Sequence, residues 1–144
     1  MECYKGVLIT PSFKLVKTAD QAITGMTTTT VTWQAAEIDN MSKADLANSR
    51  YVIPFDGLYF FNAEWKIAAN PVPGDAYAFI LVNGVIKGQG RTNVQAGATL
   101  SYPMASTLVS CNKGDFITMQ VFANLAATVL QDASTTFLAG FQVS

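Results

Sequence analysis

The stretch PFDGLYFFNAEW, residues 54–65, decides how this chain folds. Pro54 and Gly57 bracket a turn, and the aromatic, β-favouring run after it predicts a strand. One parity of that strand, Tyr59, Phe61, Ala63 and Trp65, is apolar throughout. The other, Leu58, Phe60, Asn62 and Glu64, begins apolar and turns polar. A strand with one solvated face alternates from its first residue, so something must also cover Leu58 and Phe60.

Composition narrows what that cover can be. A chain of 144 residues is one domain's worth, large enough to bury a core without staples. Hydrophobic residues make up 50% and charged residues only 13%, a lean polar allowance for a small monomer, which burial between subunits would relieve. No apolar run approaches the roughly 18 residues a membrane span needs, so a bilayer is not the expected partner. A net charge of -1 with scattered Lys and Arg leaves no electrostatic footprint for nucleic acid. The opening MECYKGVLITPSFKLVK has an apolar VLI of three residues and no basic leader, so no secretory signal is expected there. Cys3 and Cys111 stand far apart, which predicts neither a disulfide framework nor a metal site. Histidine is absent, and with it the commonest general base.

Along the chain, apolar or β-branched runs at 5–10, 13–17, 28–36, 50–54, 57–68, 76–82, 98–109, 115–123 and 136–143 predict strands. The turn signals NPVPGD, VNGVIKGQG and CNKGD separate them. VNGVIKGQG lacks the strand-to-helix setting of a phosphate loop and predicts a hairpin. DNMSKADLANS predicts a loop with room for one helical turn, and ANLAATVL a long loop or short strand. Many short strands at this spacing argue for an all-β, two-sheet antiparallel jelly-roll sandwich.

Four elements in order, VTWQAAEIDN, YVIPFDGLYFF, AFILVNG, and SCNKGD followed by the terminal TTFLAGFQVS, give the chain its resemblance. It resembles the complement globular-head and tumour necrosis factor jelly-roll superfamily over about residues 13–144. In that family a Gly-aromatic-aromatic strand follows a Pro-x-x-Gly-like turn, a Gly-Asp turn precedes a long strand, and the last strand lies at a trimer centre. Cys111 stands where the family usually has Leu, which implies a buried thiol acting as a small hydrophobe. Leu138 takes a place that is often aromatic.

The resemblance implies a TNF-like homotrimer. Tyr59, Phe61 and Trp65 are expected between the sheets with Phe137, Phe141 and Val143 of the last strand. Leu58, Phe60, Asn62, Met104, Leu138, Gly140 and Gln142 are expected on the threefold axis. The competing reading covers Leu58 and Phe60 with a loop of the same chain. Residues 1–12 are expected to form an arm, with Tyr4, Val7, Leu8 and Ile9 gripping a partner.

No catalytic constellation is expected. Without histidine a conventional nucleophile triad cannot be built, and the acidic residues show no pairing with a base. Asp56 and Asp115 lie beside turn glycines, where an Asp more often bonds backbone than does chemistry. No cofactor or metal is implied. The resemblance, with no catalytic set beside it, implies a non-enzymatic trimeric virion structural protein, a phage capsid decoration or fibre head, whose partners are its own copies and a capsid or other virion protein. The alternatives are a receptor-binding or carbohydrate-binding head, with the site on apical loops, and a bacterial surface protein.

Overall fold

Alternating sequence patterns become antiparallel strands in the computed structural model, which describes residues 2–4, 7–68, 73–95 and 101–144. β1 (Glu2–Tyr4) and β2 (Val7–Ile9) pair as a hairpin of their own. β3 (Ser12–Val16), β4 (Gln21–Ile23), β5 (Thr29–Thr30) and β6 (Ala35–Asp39) follow. β7 (Ala44–Asp45) and β8 (Arg50–Val52) flank a 3-10 turn at Leu46–Asn48. β9 (Gly57–Glu64) and β10 (Lys66–Ile67) carry the opening motif, and β11 (Gly74–Val82) with β12 (Val85–Val94) forms the longest hairpin described. β13 (Met104–Cys111), β14 (Phe116–Ala123), β15 (Ala127–Leu130) and β16 (Phe137–Gln142) complete the chain.

Two sheets make the sandwich. One runs β13-β9-β16-β3-β6, and the other β12-β11-β14-β8-β7 with β5 also on β14. A third, small sheet runs β10-β15-β4. Tyr59, Phe61, Ala63 and Trp65 are fully buried between the large sheets, as the apolar parity of β9 requires. Phe13 of one sheet stacks on Tyr51 of the other at 3.8 Å between ring centroids, and the Trp65 indole N–H donates to the Tyr77 carbonyl at 3.1 Å. Aromatic contacts thus tie the layers where the sequence is richest in rings.

The last strand reverses the sequence expectation. Leu138, Gly140 and Gln142 point into the sandwich and are buried, whereas Phe137 and Phe141 point outward, with Phe141 47% exposed. Gly140 explains the inversion, because it pairs with Phe13 on one side and Phe61 on the other. A Cβ there would lie 2.5 Å from Phe61 Cδ1 and 2.9 Å from Phe13 Cε1, so the two rings occupy the space a side chain would need. Gln142 is half-satisfied inside: its amide nitrogen donates to the Asp56 and Ser144 carbonyls at 3.3 Å, while its Oε1 has no partner. Phe137, Phe141 and Val143 are therefore not core partners of Tyr59, Phe61 and Trp65; Phe13, Leu15 and Leu138 are.

Two further expectations change. VNGVIKGQG does open a hairpin, with Asn83 and Gly84 both at positive φ, 51° and 80°, the geometry of a type I′ turn. Gly88 and Gly90, however, belong to the ten-residue strand β12 rather than to a loop. At Gly90 the backbone of β12 passes so close to the Met104 carbonyl that any Cβ would collide with it, and Thr107 Oγ1 donates to the Lys87 carbonyl at 2.9 Å. Glycine lets the edges of the two sheets approach. The run 28–36 is also not one strand, since residues 31–34 leave the ladder while Val31 and Trp33 stay buried.

Candidate functional site

The outward face of the five-stranded sheet answers the question raised by Leu58 and Phe60. Register places Ser12, Phe141, Phe60 and Leu108 side by side across β3, β16, β9 and β13. The Phe60 and Phe141 rings lie 5.7 Å apart, tilted by 45°, and Leu108 beside them is 56% exposed. A second row holds Lys14, Ala139, Asn62 and Ser106, and a third holds Val16, Phe137, Glu64 and Met104. Met104, Val143 and Ile38 add exposed apolar surface. Leu58 and Phe60 are half-buried here, and among the described residues no loop encloses them fully.

Polar groups gather toward one margin. Lys14 Nζ lies 3.4 Å from the Glu37 carboxylate and 5.3 Å from the Phe137 ring centroid. Burial pushes the Glu64 carboxyl above its ordinary range. The face thus grades from an apolar region around Phe60 to a partly charged one around Glu64, which is the polarity change already visible along LYFFNAE.

Of the residues expected on the axis, Leu58, Phe60, Asn62 and Met104 lie together on this face. Leu138, Gly140 and Gln142 do not, because their strand presents the opposite parity. Phe141, Leu108, Val143 and Ile38 share the face and were not anticipated. The alternation in STLVS marks Leu108 as one of two parities, but only its register opposite Phe60 assigns it to this surface.

Within residues 1–12, β1 and β2 pair with each other, and Ile9 is half-buried, lining a pocket of about 320 Å³ with Asn40, Met41 and Ser42. The side chains of Tyr4, Val7 and Leu8, like that of Cys3, lie outside the described residues.

At the end of the sandwich where β16 finishes, the acidic side chains serve the backbone. Asp115 accepts from the Asn112 N–H at 2.8 Å and also from the Asn83 side-chain Nδ2 at 2.8 Å, and Asp56 accepts from the Lys113 N–H at 2.7 Å. Cys111 is 3% exposed, and burial, with Asp115 adding, pushes its thiol up to about 11, so little thiolate forms at neutral pH. Among the described residues, no group of three or more His, Cys, Asp or Glu is placed to hold a metal ion.

No family model matches the chain, and no curated protein matches its sequence. Solved structures do match its fold. The globular domain of zebrafish complement 1qA protein aligns with a TM-score of 0.68 at 12% identity, over 93% of this chain and 98% of that one. Murine APRIL at pH 5.0 aligns with a TM-score of 0.74 at 13% identity, over 94% and 100%. The same mouse protein at pH 8.0 gives 0.72 at 14% identity, over 94% and 100%. The chain is thus an all-β jelly roll of the complement-head and TNF-like kind. At these identities the likeness is one of fold.

Proposed function

We propose that the protein is a non-enzymatic head that works as a homotrimer, its subunits packed through the outward face of the five-stranded sheet. The row Phe141, Phe60 and Leu108 carries this reading, because it puts three large apolar side chains where a solvated sheet would place polar ones. Burying each such side chain stabilises by about 1.5–3 kcal/mol, and a threefold assembly repeats the gain at every subunit. The resemblance to a superfamily with its last strand at a trimer centre supports threefold closure, with Phe141 and Val143 of that strand in the place first expected for Leu138, Gly140 and Gln142. Gel filtration with light scattering should give about three times the subunit mass of 15.5 kDa for the wild type. Phe60→Asp should give a monomer with an unchanged β-sheet circular dichroism spectrum. A monomeric wild type, or a Phe60→Asp trimer of undiminished stability, would remove the assignment.

The surface this head serves is, in the same proposal, a virion, where it acts as a decoration or fibre-head protein. The β1–β2 hairpin supports that reading: among the described residues its strands pair with each other and with neither large sheet, so beyond the Ile9 contact with Asn40, Met41 and Ser42 an underlying particle surface could take it up. Mass spectrometry of particles purified from a producing culture should find the protein in stoichiometric amount, and deletion of residues 1–12 should lower it without unfolding the jelly roll. Absence from particles would leave the trimeric head without its virion role.

A further inference from the structure

The outward face of the six-stranded sheet carries a second pattern that neither the core nor the trimer requires. Tyr77 and Phe79 stand two residues apart on β11, their rings parallel to within 4° and 5.6 Å apart between centroids. Phe122 on β14 meets Tyr77 edge-on, at 5.9 Å and 74°. The ladder brackets these rings with polar groups. Gln89 and Gln120 sit directly opposite Phe79, one on each neighbouring strand, and Arg91 sits opposite Tyr77. Arg91 is itself neutralised by Asp75 at 3.0 Å, and Asn93 donates to the same carboxylate at 3.1 Å. Gln89 is exposed, and the Gln120 amide has only a 3.5 Å contact with Thr30 Oγ1.

We propose that this face binds a neutral oligosaccharide. A pyranose offers an apolar C–H face and, around it, hydroxyls that both donate and accept. The aromatic row can take the first, and carboxamides, which also donate and accept, can take pairs of the second. The polar groups disfavour the competing occupants. A nucleic acid or an acidic peptide is better served by a cluster of cations, and the guanidinium beside Tyr77 shares its charge with Asp75. A second copy of this chain would press the Gln89 and Gln120 amides against rings and leave them without partners. Self-association is better served by the other sheet's outward face, where Leu108, Phe60 and Phe141 adjoin without intervening amides. The two faces look away from each other, so a glycan on one leaves the other free for subunit packing. The site proposed is thus a sheet face, not the loops at either end.

Affinity electrophoresis tests this with gels containing, one at a time, mannan, laminarin, xylan, dextran and hydroxyethylcellulose. Wild-type protein should be slowed by at least one of them. The double variant Gln89→Ala/Gln120→Ala, which truncates one exposed and one half-buried side chain on the outward face, should bind that polysaccharide at least tenfold more weakly with the cooperative melt retained. Phe79→Ser should lose the retardation entirely. The proposal is overturned if none of the five slows the wild type, or if the double amide variant is slowed as much as wild type. Phe60→Asp should be retarded as strongly per subunit as wild type, so failure of the trimer reading and failure of this one are told apart.

Discussion

The two outward sheet faces are built on the same antiparallel ladder and differ in what lies beside their rings. On the five-stranded sheet, Phe60 has Phe141 on one side and Leu108 on the other. On the six-stranded sheet, Phe79 has glutamine on both. An aromatic ring between apolar neighbours forms a patch that water wets poorly and another protein surface covers well. The same ring between amides is an ordinary amphipathic surface with hydrogen-bonding capacity left over. Exposure of single residues does not distinguish the two, since Phe60 and Phe79 are both half-buried. Cross-strand neighbours do, and register sets those neighbours.

Substitutions at matched positions can break this comparison. The largest effect is expected inside the sandwich: Phe61→Asp puts an unpaired charge where the side chain is fully buried, and should abolish folding, read as loss of the β-sheet spectrum and of a cooperative melt. On the outward parity, Phe141→Asp, opposite Phe60 in the ladder, should leave the subunit folded but dissociate the oligomer, as Phe60→Asp should. Phe79→Asp, the equivalent change on the six-stranded sheet, should leave both fold and oligomer intact at a cost of about 1 kcal/mol. If Phe79→Asp also dissociates the protein, the two faces are not chemically distinct in the way proposed.

Gly140→Ala is the next largest effect. The added methyl meets Phe61 and Phe13, so the variant should lose about 1–3 kcal/mol in urea denaturation. Its neighbour Ala139 faces outward, and Ala139→Ser should change stability by less than about 0.5 kcal/mol. Equal effects at the two positions would contradict the parity of β16.

The smallest effect concerns Cys111, which touches neither outward face. Burial raises its folded-state thiol from the ordinary value of 9.0 to about 11. A raised acid binds its proton more tightly in the folded chain, so its stabilisation is complete below pH 9 and is lost as pH rises from 9 toward 11. Urea titrations across that range should show a shallower alkaline loss for Cys111→Ala than for wild type. Parallel curves would mean that the thiol titrates normally.

Much of this architecture is legible in the residues. The parity Tyr59, Phe61, Ala63, Trp65 allows only one inward face for β9, and Asn83-Gly84 dictates a hairpin turn because both residues accept positive φ. The Asn-Lys-Gly-Asp turn carries its own hydrogen-bond acceptor in Asp115. β12 was harder to see, since its glycines imitate a loop and are explained only by the close passage of β13.

The final strand marks the boundary between the two kinds of information. Its composition favours Phe137, Phe141 and Val143 inside, because three large apolar side chains outweigh one leucine, one glycine and one glutamine. Local pattern alone determined that FLAGFQ is a strand and that its faces differ. Tertiary structure decided which face is which, since the space above Gly140 is already filled by Phe13 and Phe61 from adjacent strands, and Gln142 finds its acceptors on Asp56 and Ser144. Hydrophobicity ranks how much a side chain gains from leaving water; it does not say whether its own chain or another supplies the cover.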